Sequence, residues 1–192
     1  MPFIAIDKNS GNRIDILTIS NPRKTLKTAD CICQLCGERM FIKAGPLIRP
    51  HFAHFADCNS KYKTGHAETP EHLFAKMELK QLLKEQFSNL EHIEIDYEVP
   101  IPEIKRIADV LVTFPMGWRM AHEIQLANIS PDELEERTDD YLRAGIDVYW
   151  WLGKSADNLS NRSWCIDKFG FSLSISYITS RQTEPFSFAQ IS

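Results

Sequence analysis

Hydrophobic and polar positions change period several times along the chain, and each change marks an element. "FIAIDKNSGNRIDI" carries two short apolar runs on either side of the turn-prone Lys8-Asn9-Ser10-Gly11, which predicts a β-hairpin. "TPEHLFAKMELKQLLKEQF" repeats apolar residues at helical spacing through Leu73, Met77, Leu83 and Phe87. Thr69 is a good N-cap and Pro70 suits the first helical position, so a helix is predicted over residues 69–87. Three strand-like runs follow. "HIEIDYEVPI" alternates, "RIADVLVTF" is rich in β-formers, and the turn "PMGW" leads into "RMAHEIQLA".

"ISPDELEERTDDYLRAG" predicts a second helix, with Ser130 as N-cap, Glu133 completing a capping box and Gly145 at the end. "IDVYWWLG" is continuously apolar, as a strand buried on both faces would be. The Ser-rich tail from Asn158 is less periodic, and "WCIDKFGFSLSISYI" reads as a final hairpin on one sheet edge. The predicted order is therefore helix, three strands, helix, strand, behind a small β-rich segment.

Composition adds bounds. The 192 residues are 43% hydrophobic and 25% charged, ordinary for a globular protein. No apolar run is long enough to span a bilayer, and the start "MPFIAIDKNSGN" lacks a basic-then-apolar leader, so a cytoplasmic protein without membrane contact is expected. The net charge of −4 is unevenly spread: residues 1–65 carry +5 and residues 66–192 carry −9. The first part suits a polyanion. These two parts are also the expected domains, 1–65 and 66–192.

Four of the five cysteines fall within residues 31–58. Clustered thiols in a reducing compartment favour a metal over disulfides. Cys33 and Cys36 form C-x2-C followed by Gly37, a spacing that aims two sulfurs at one ion. The preferred ligand set is Cys33, Cys36, His54 and Cys58, with His51 as the main competitor and Cys31 a weaker one. Four protein ligands make such a zinc ion structural.

Asp109 and Glu123 raise a different chemistry. Glu123 and Gln125 share one face of their strand, and an antiparallel pair closed by "PMGW" brings Asp109 opposite Glu123. Converging carboxylates repel unless a proton or cation intervenes, and Mg²⁺ or Mn²⁺ is the expected ion. Glu71, in the first turn of the first helix, is a candidate third ligand, and Gln125 a candidate for orienting water or phosphate. The competing reading pairs Asp109 with Arg106 or Lys105, and Glu123 with Arg119 or Lys76, as surface ion pairs of little consequence.

The segments "CQLCGERMFIKAGPLIRPHFAH", "ETPEHLFAK", "RIADVLV" and "EIQLANISPDELEERTDDYLRAGIDVYWWL" together resemble the CoiA-like competence protein family, of the PD-(D/E)xK nuclease superfamily, over about residues 1–155. The resemblance implies a zinc-ribbon-like module before an α/β, restriction-endonuclease-like core. It implies that Asp109 and Glu123 match the acidic metal ligands, that Gln125 stands where many members carry lysine, and that Glu71, with Glu68 as runner-up, matches the helical acid. His72 and Lys76 belong to the same matched stretch, and Lys76 is a candidate phosphate contact. Arg137 and Tyr141 share a helix face. Arg137 is a candidate for gripping phosphate, and Tyr141 for holding Gln125 or a nucleotide, against a surface salt link and a core tyrosine.

The expected activity is Mg²⁺-dependent hydrolysis of DNA, by endo- or exonuclease action, in DNA processing or recombination. The alternative is a non-catalytic DNA-binding accessory of recombination or uptake. DNA is the expected partner, recombination or uptake proteins are further candidates, and homodimers are common in the superfamily. Trp150 and Trp151 are expected in the core, and His66, His92 and His122 at structural or surface positions.

Overall fold

The computed structural model describes residues 2–46, 48–55, 69–177 and 186–191. It is a mixed α/β protein of two compact units, Met1–Thr69 with Lys105–Ile107, and Pro70–Ile104 with Ala108–Ser192. No helix among the described residues is long and apolar enough to cross a membrane.

In the first unit, β1 (Ile4–Asp7) and β2 (Arg13–Asp15) form the predicted hairpin. The Asp7 carboxylate accepts the Asn9 and Ser10 N–H groups at 2.8 and 2.9 Å, which folds the intervening turn locally. A short helix, α1 (Pro22–Thr25), precedes β3 (Cys31–Ile32), which pairs with the other edge of β1. A separate hairpin joins β4 (Met40–Gly45) to β5 (Ile48–His54). Met40, Ile42 and Phe52 of this hairpin are buried, as are Phe3, Ile4 and Ile16.

The second unit is built on a six-stranded sheet. Helix α2 (Pro70–Gln86) leads to β6 (Glu94–Ile101), β7 (Arg106–Thr113) and β8 (Arg119–Gln125). Helix α3 (Pro131–Arg143) crosses to β9 (Ile146–Leu152), which lies parallel to β8. Ser130 and Glu133 form the reciprocal capping box at the start of α3. Leu134 and Tyr141 of α3 pack on this sheet, in one core with Val148, Trp150 and Leu152 of its strand β9.

The tail departs from the expected hairpin. Residues Leu159–Phe169 form a helix, α4, and only then come β10 (Ser172–Tyr177) and β11 (Phe186–Ile191), giving the order β11-β10-β9-β8-β7-β6. Asn158 caps α4 by accepting the Asn161 N–H at 3.1 Å, and Gly170 ends it in the left-handed region. The aromatics Trp164 and Phe169, which favour a strand reading, pack instead against the core shared with α3. The capping residues at both ends were the available signal. Strand β10 runs parallel to β9, and there Gly153 is required: a Cβ at that position would lie 2.7 Å from the Ile175 carbonyl oxygen.

Candidate functional site

Strand geometry builds the acidic site. The register of β7 and β8 runs from Thr113↔Arg119 to Val110↔His122. One step further, Asp109 and Glu123 face each other and their side chains take over the backbone donors. Glu123 Oε1 accepts the Asp109 N–H at 3.3 Å, and Asp109 Oδ2 accepts the Ile124 N–H at 2.9 Å. Two carboxylates are thus fixed where the strands part, and Glu123 is only 2% exposed.

Each acid has a different set of partners. Asp109 Oδ2 lies 3.1 Å from His72 Nε2, on the first turns of α2. Glu123 is held from α3: Tyr141 donates its hydroxyl to Oε1 at 2.7 Å, and Arg137 donates to Oε2 at 2.5 Å. Arg137 also donates to Gln125 Oε1 at 3.1 Å, and its guanidinium lies 4.6 Å from the centre of the Trp150 ring. Gln125 in turn donates its amide to the Ala127 carbonyl at 2.8 Å. The helical spacing of Arg137 and Tyr141 therefore serves one purpose, to clamp both oxygens of Glu123.

These surroundings push the two carboxyls apart. Burial raises Asp109, but the charge and hydrogen bond of His72, then Lys76 and the Ile124 N–H, outweigh it and leave the group below its ordinary range. Burial raises Glu123 too, and the Asp109 charge adds to it; Arg137, Tyr141 and the Asp109 N–H offset this only in part. A pair split in this way is a pattern of acid–base and metal sites. Asp109 is the member that stays ionised. Burial, then the neighbouring Glu123, drives the Tyr141 phenol well above its usual range, so it is a permanent donor.

Several candidates lie elsewhere than expected. Lys76 is 1% exposed and donates to Glu98 Oε1 at 2.7 Å, so it is a buried member of an ion pair rather than a surface phosphate contact. Glu71 lies 3.4 Å from Lys154 Nζ, and among the described residues it joins no tight cluster with Asp109 and Glu123. Its position in the first turn of α2 leaves it 39% exposed, within reach of that lysine. Tyr141 is fully buried, so it meets Glu123 and not a nucleotide. The surface pairings weighed for Glu123 do not form: Arg119 donates to the Ala144 carbonyl, and Lys76 to Glu98. Glu68 and His66 lie outside the described residues.

A second cluster sits in the first unit. Cys33, Cys36 and His54 bring their ligand atoms within 4.8 Å of one another, with Cys36 Sγ 3.5 Å from His54 Nε2. Gly37 (φ 75°) supplies the left-handed turn after Cys36, and its N–H returns to the Cys33 carbonyl at 2.9 Å. Burial lowers the pKa of His54, which keeps its imidazole neutral and ready to ligate. This group could bind a metal ion, and thiolate–imidazole chemistry suits zinc. Cys58 lies outside the described residues. His51 is buried on β5 with Nδ1 2.9 Å from the Arg49 carbonyl, and Cys31 turns its thiol toward the Lys27 carbonyl; neither joins the cluster.

The family described as competence protein CoiA, nuclease-like domain, matches residues 68–190, and the CoiA N-terminal domain matches residues 17–62. The chain belongs to the CoiA family. Competence protein CoiA of Bacillus subtilis (strain 168) is 30% identical over 130 residues, covering 68% of this chain and 33% of that protein. The chain thus spans about a third of the length of this curated relative. No solved structure matches.

In this CoiA-family chain the residue that sequence reasoning passes over is Glu98. It is 5% exposed, bonded to Lys76, and held at φ 54°, a left-handed backbone that a glutamate rarely adopts. A buried ion pair with a strained member, whose lysine also lowers Asp109, belongs to the support of the acidic site. A signal existed in the helix: Lys76 falls in the buried stripe of Leu73, Leu79 and Leu83, where a lysine needs a partner.

Proposed function

We propose that this CoiA-family chain is a metal-dependent nuclease that hydrolyses DNA phosphodiester bonds in DNA processing or recombination, with a restriction-endonuclease-like core. The observation that carries the reading is the juxtaposed, buried Asp109 and Glu123 at the parting of β7 and β8. Their donor set fits a hard cation: two carboxylates, one kept ionised, with Asp109 Oδ1 lacking a hydrogen-bond partner among the described residues. Asp109 and Glu123 would hold Mg²⁺ or Mn²⁺, and Glu71 is left outside the proposed set. The bound ion would supply an activated water and neutralise charge on the phosphodiester.

The chain's own residues do the rest. Tyr141 and Arg137 fix the Glu123 carboxylate. His72 and Lys76 keep Asp109 charged. Gln125, tied to Arg137 and to the Ala127 carbonyl, positions Arg137 at the rim of the site. Arg137 is 25% exposed, so part of its side chain stays open to an arriving phosphate. A structural zinc on Cys33, Cys36 and His54 would hold the basic first unit, which assists in gathering DNA. The same reading assigns residues 1–65 and 66–192 to separate domains, a cytoplasmic location, and recombination or uptake proteins as further partners.

The test is cleavage of single-stranded, duplex and branched DNA with Mg²⁺ or Mn²⁺. Asp109→Asn and Glu123→Gln are expected to abolish it; cutting equal to that of the unsubstituted protein overturns the reading. One observation favours a second reading, a DNA-binding accessory without catalysis. Both oxygens of Glu123 already accept protein donors, and Gln125 uses its amide internally. That reading predicts salt-sensitive DNA binding with no metal-dependent turnover.

A further inference from the structure

The β4–β5 hairpin has one face in the core and one face that carries an unusual sequence of side chains. Met40, Ile42 and Phe52 point inward and are buried. The alternate positions carry Arg39, Phe41 and Lys43 on one strand line and Phe55 just beyond the end of the other. The register explains their meeting: Phe41 faces Ala53, so Arg39 falls opposite Phe55. The Arg39 guanidinium lies 4.9 Å from the centre of the Phe55 ring, the two phenyl rings are 4.9 Å apart and tilted by 51°, and Lys43 Nζ lies 5.6 Å from the Phe41 ring. The order along the face is cation, ring, ring, cation.

His51 and Ala53 on the same face are buried, but burial does not account for the exposed members of this stripe. Phe55 is 60% exposed, and Arg39 and Lys43 are exposed. Cation–ring contacts at exposed sites are worth only about 0.5–1 kcal/mol, too little to offset leaving a phenyl ring in water. The arrangement does match what an unpaired nucleic-acid strand requires: an exposed aromatic ring for a base, with cations beside the rings for the phosphates. A duplex hides its base faces and gains nothing from Phe55. The charge of the surrounding segment, +5 over residues 1–65, is complementary to such a strand.

The geometry points to the Arg39–Phe55–Phe41–Lys43 face of the β4–β5 hairpin as a binding surface for single-stranded nucleic acid, with Phe55 stacking on a base. This rests on the chain being a nucleic-acid protein, and it deepens that reading by naming the strand form; it does not depend on cleavage.

The experiment measures fluorescence anisotropy of labelled oligo-dT, oligo-rU and a duplex with the zinc-loaded full chain, without Mg²⁺ or Mn²⁺. Phe55→Ala and Phe55→Leu are expected to weaken oligo-dT or oligo-rU binding by about 5- to 150-fold, the range for losing one stacked base, with duplex binding changed much less. Phe55→Trp should retain or improve it. Arg39→Gln with Lys43→Gln should reduce the salt dependence of binding. Zinc content is measured for every variant, because Phe55 follows His54. Phe55→Leu with full zinc and unchanged oligonucleotide binding overturns the inference, as does an equal loss on duplex and single strand. Failure of the unsubstituted protein to bind any single strand at low salt also overturns it. Absence of metal-dependent cutting with binding intact would sink the nuclease reading alone.

Discussion

At the scale of single residues, Glu123 shows how much of a site is spent on keeping one carboxylate in place. It accepts from Tyr141, Arg137 and the Asp109 N–H while nearly fully buried. Tyr141→Phe leaves the buried Glu123 carboxyl one donor short and is expected to cost about 1–3 kcal/mol of unfolding free energy in urea titration. Arg137→Gln removes the cation that offsets burial and Asp109, so the Glu123 carboxyl should titrate at higher pH than in the unsubstituted protein. A carbon-13 carboxylate titration by NMR checks the direction. His122, on the same strand, is a second case. Burial pulls its pKa from 6.5 to about 4, its Nδ1 accepts the Trp151 indole N–H at 3.1 Å, and Nε2 has no partner among the described residues. The folded form resists protonation, so His122 leaves stability intact above about pH 6.5. Stability is then lost as pH falls toward 4, by about 3 kcal/mol. His122→Phe should flatten that loss in unfolding curves taken across this range.

At the scale of elements, α2 and β6 meet through Lys76 and Glu98. Lys76→Met leaves Glu98 buried without its cation and is expected to destabilise by about 3–5 kcal/mol. The double substitution Lys76→Met, Glu98→Leu should recover most of that, and a double-mutant cycle in urea measures the coupling. Much at this level is legible in the sequence. Strand parity rules out a one-residue slip and the short "PMGW" turn limits larger ones, and together they set Asp109 opposite Glu123. The capping box and Gly145 likewise mark both ends of α3. The partners of those acids are not legible. Whether Arg137 reaches Glu123 or solvent depends on how α3 lies on β8 and β9, which no local pattern encodes. Helix α4 is hidden for another reason: its aromatics Trp164 and Phe169, with Ile166, mimic a strand, and Asn158 and Gly170 are the signals of the helix. That Lys76 is buried and no phosphate contact is not legible either, because its partner Glu98 lies 22 residues away on β6.

For the whole molecule, the metal cluster and the acidic site lie in different units of the chain. The first unit has a thin core, a three-stranded sheet and one hairpin, so a bound ion would supply a large part of its folding energy. Zinc removal by a chelator is expected to expose residues 31–55 to protease while the second unit keeps its protection in hydrogen exchange. Unchanged cleavage of residues 31–55 after complete loss of zinc would show that the cluster does not hold this unit together. The same experiment separates the two functions proposed: loss of the hairpin's surface on zinc removal should abolish discrimination between single strand and duplex without altering the carboxylate pair.

Trp150 gives the molecule a built-in gauge. Its indole is buried, donates to Thr138 Oγ1 at 2.9 Å and lies under the guanidinium that clamps Glu123. Fluorescence of an indole responds to the charge above its ring. Anything that draws Arg137 away, a divalent ion competing for Glu123 or a phosphate arriving at the rim, should therefore shift the emission of a protein whose other tryptophans are replaced by phenylalanine. Occupancy of the site becomes readable by light alone, in a single cuvette, with no turnover required.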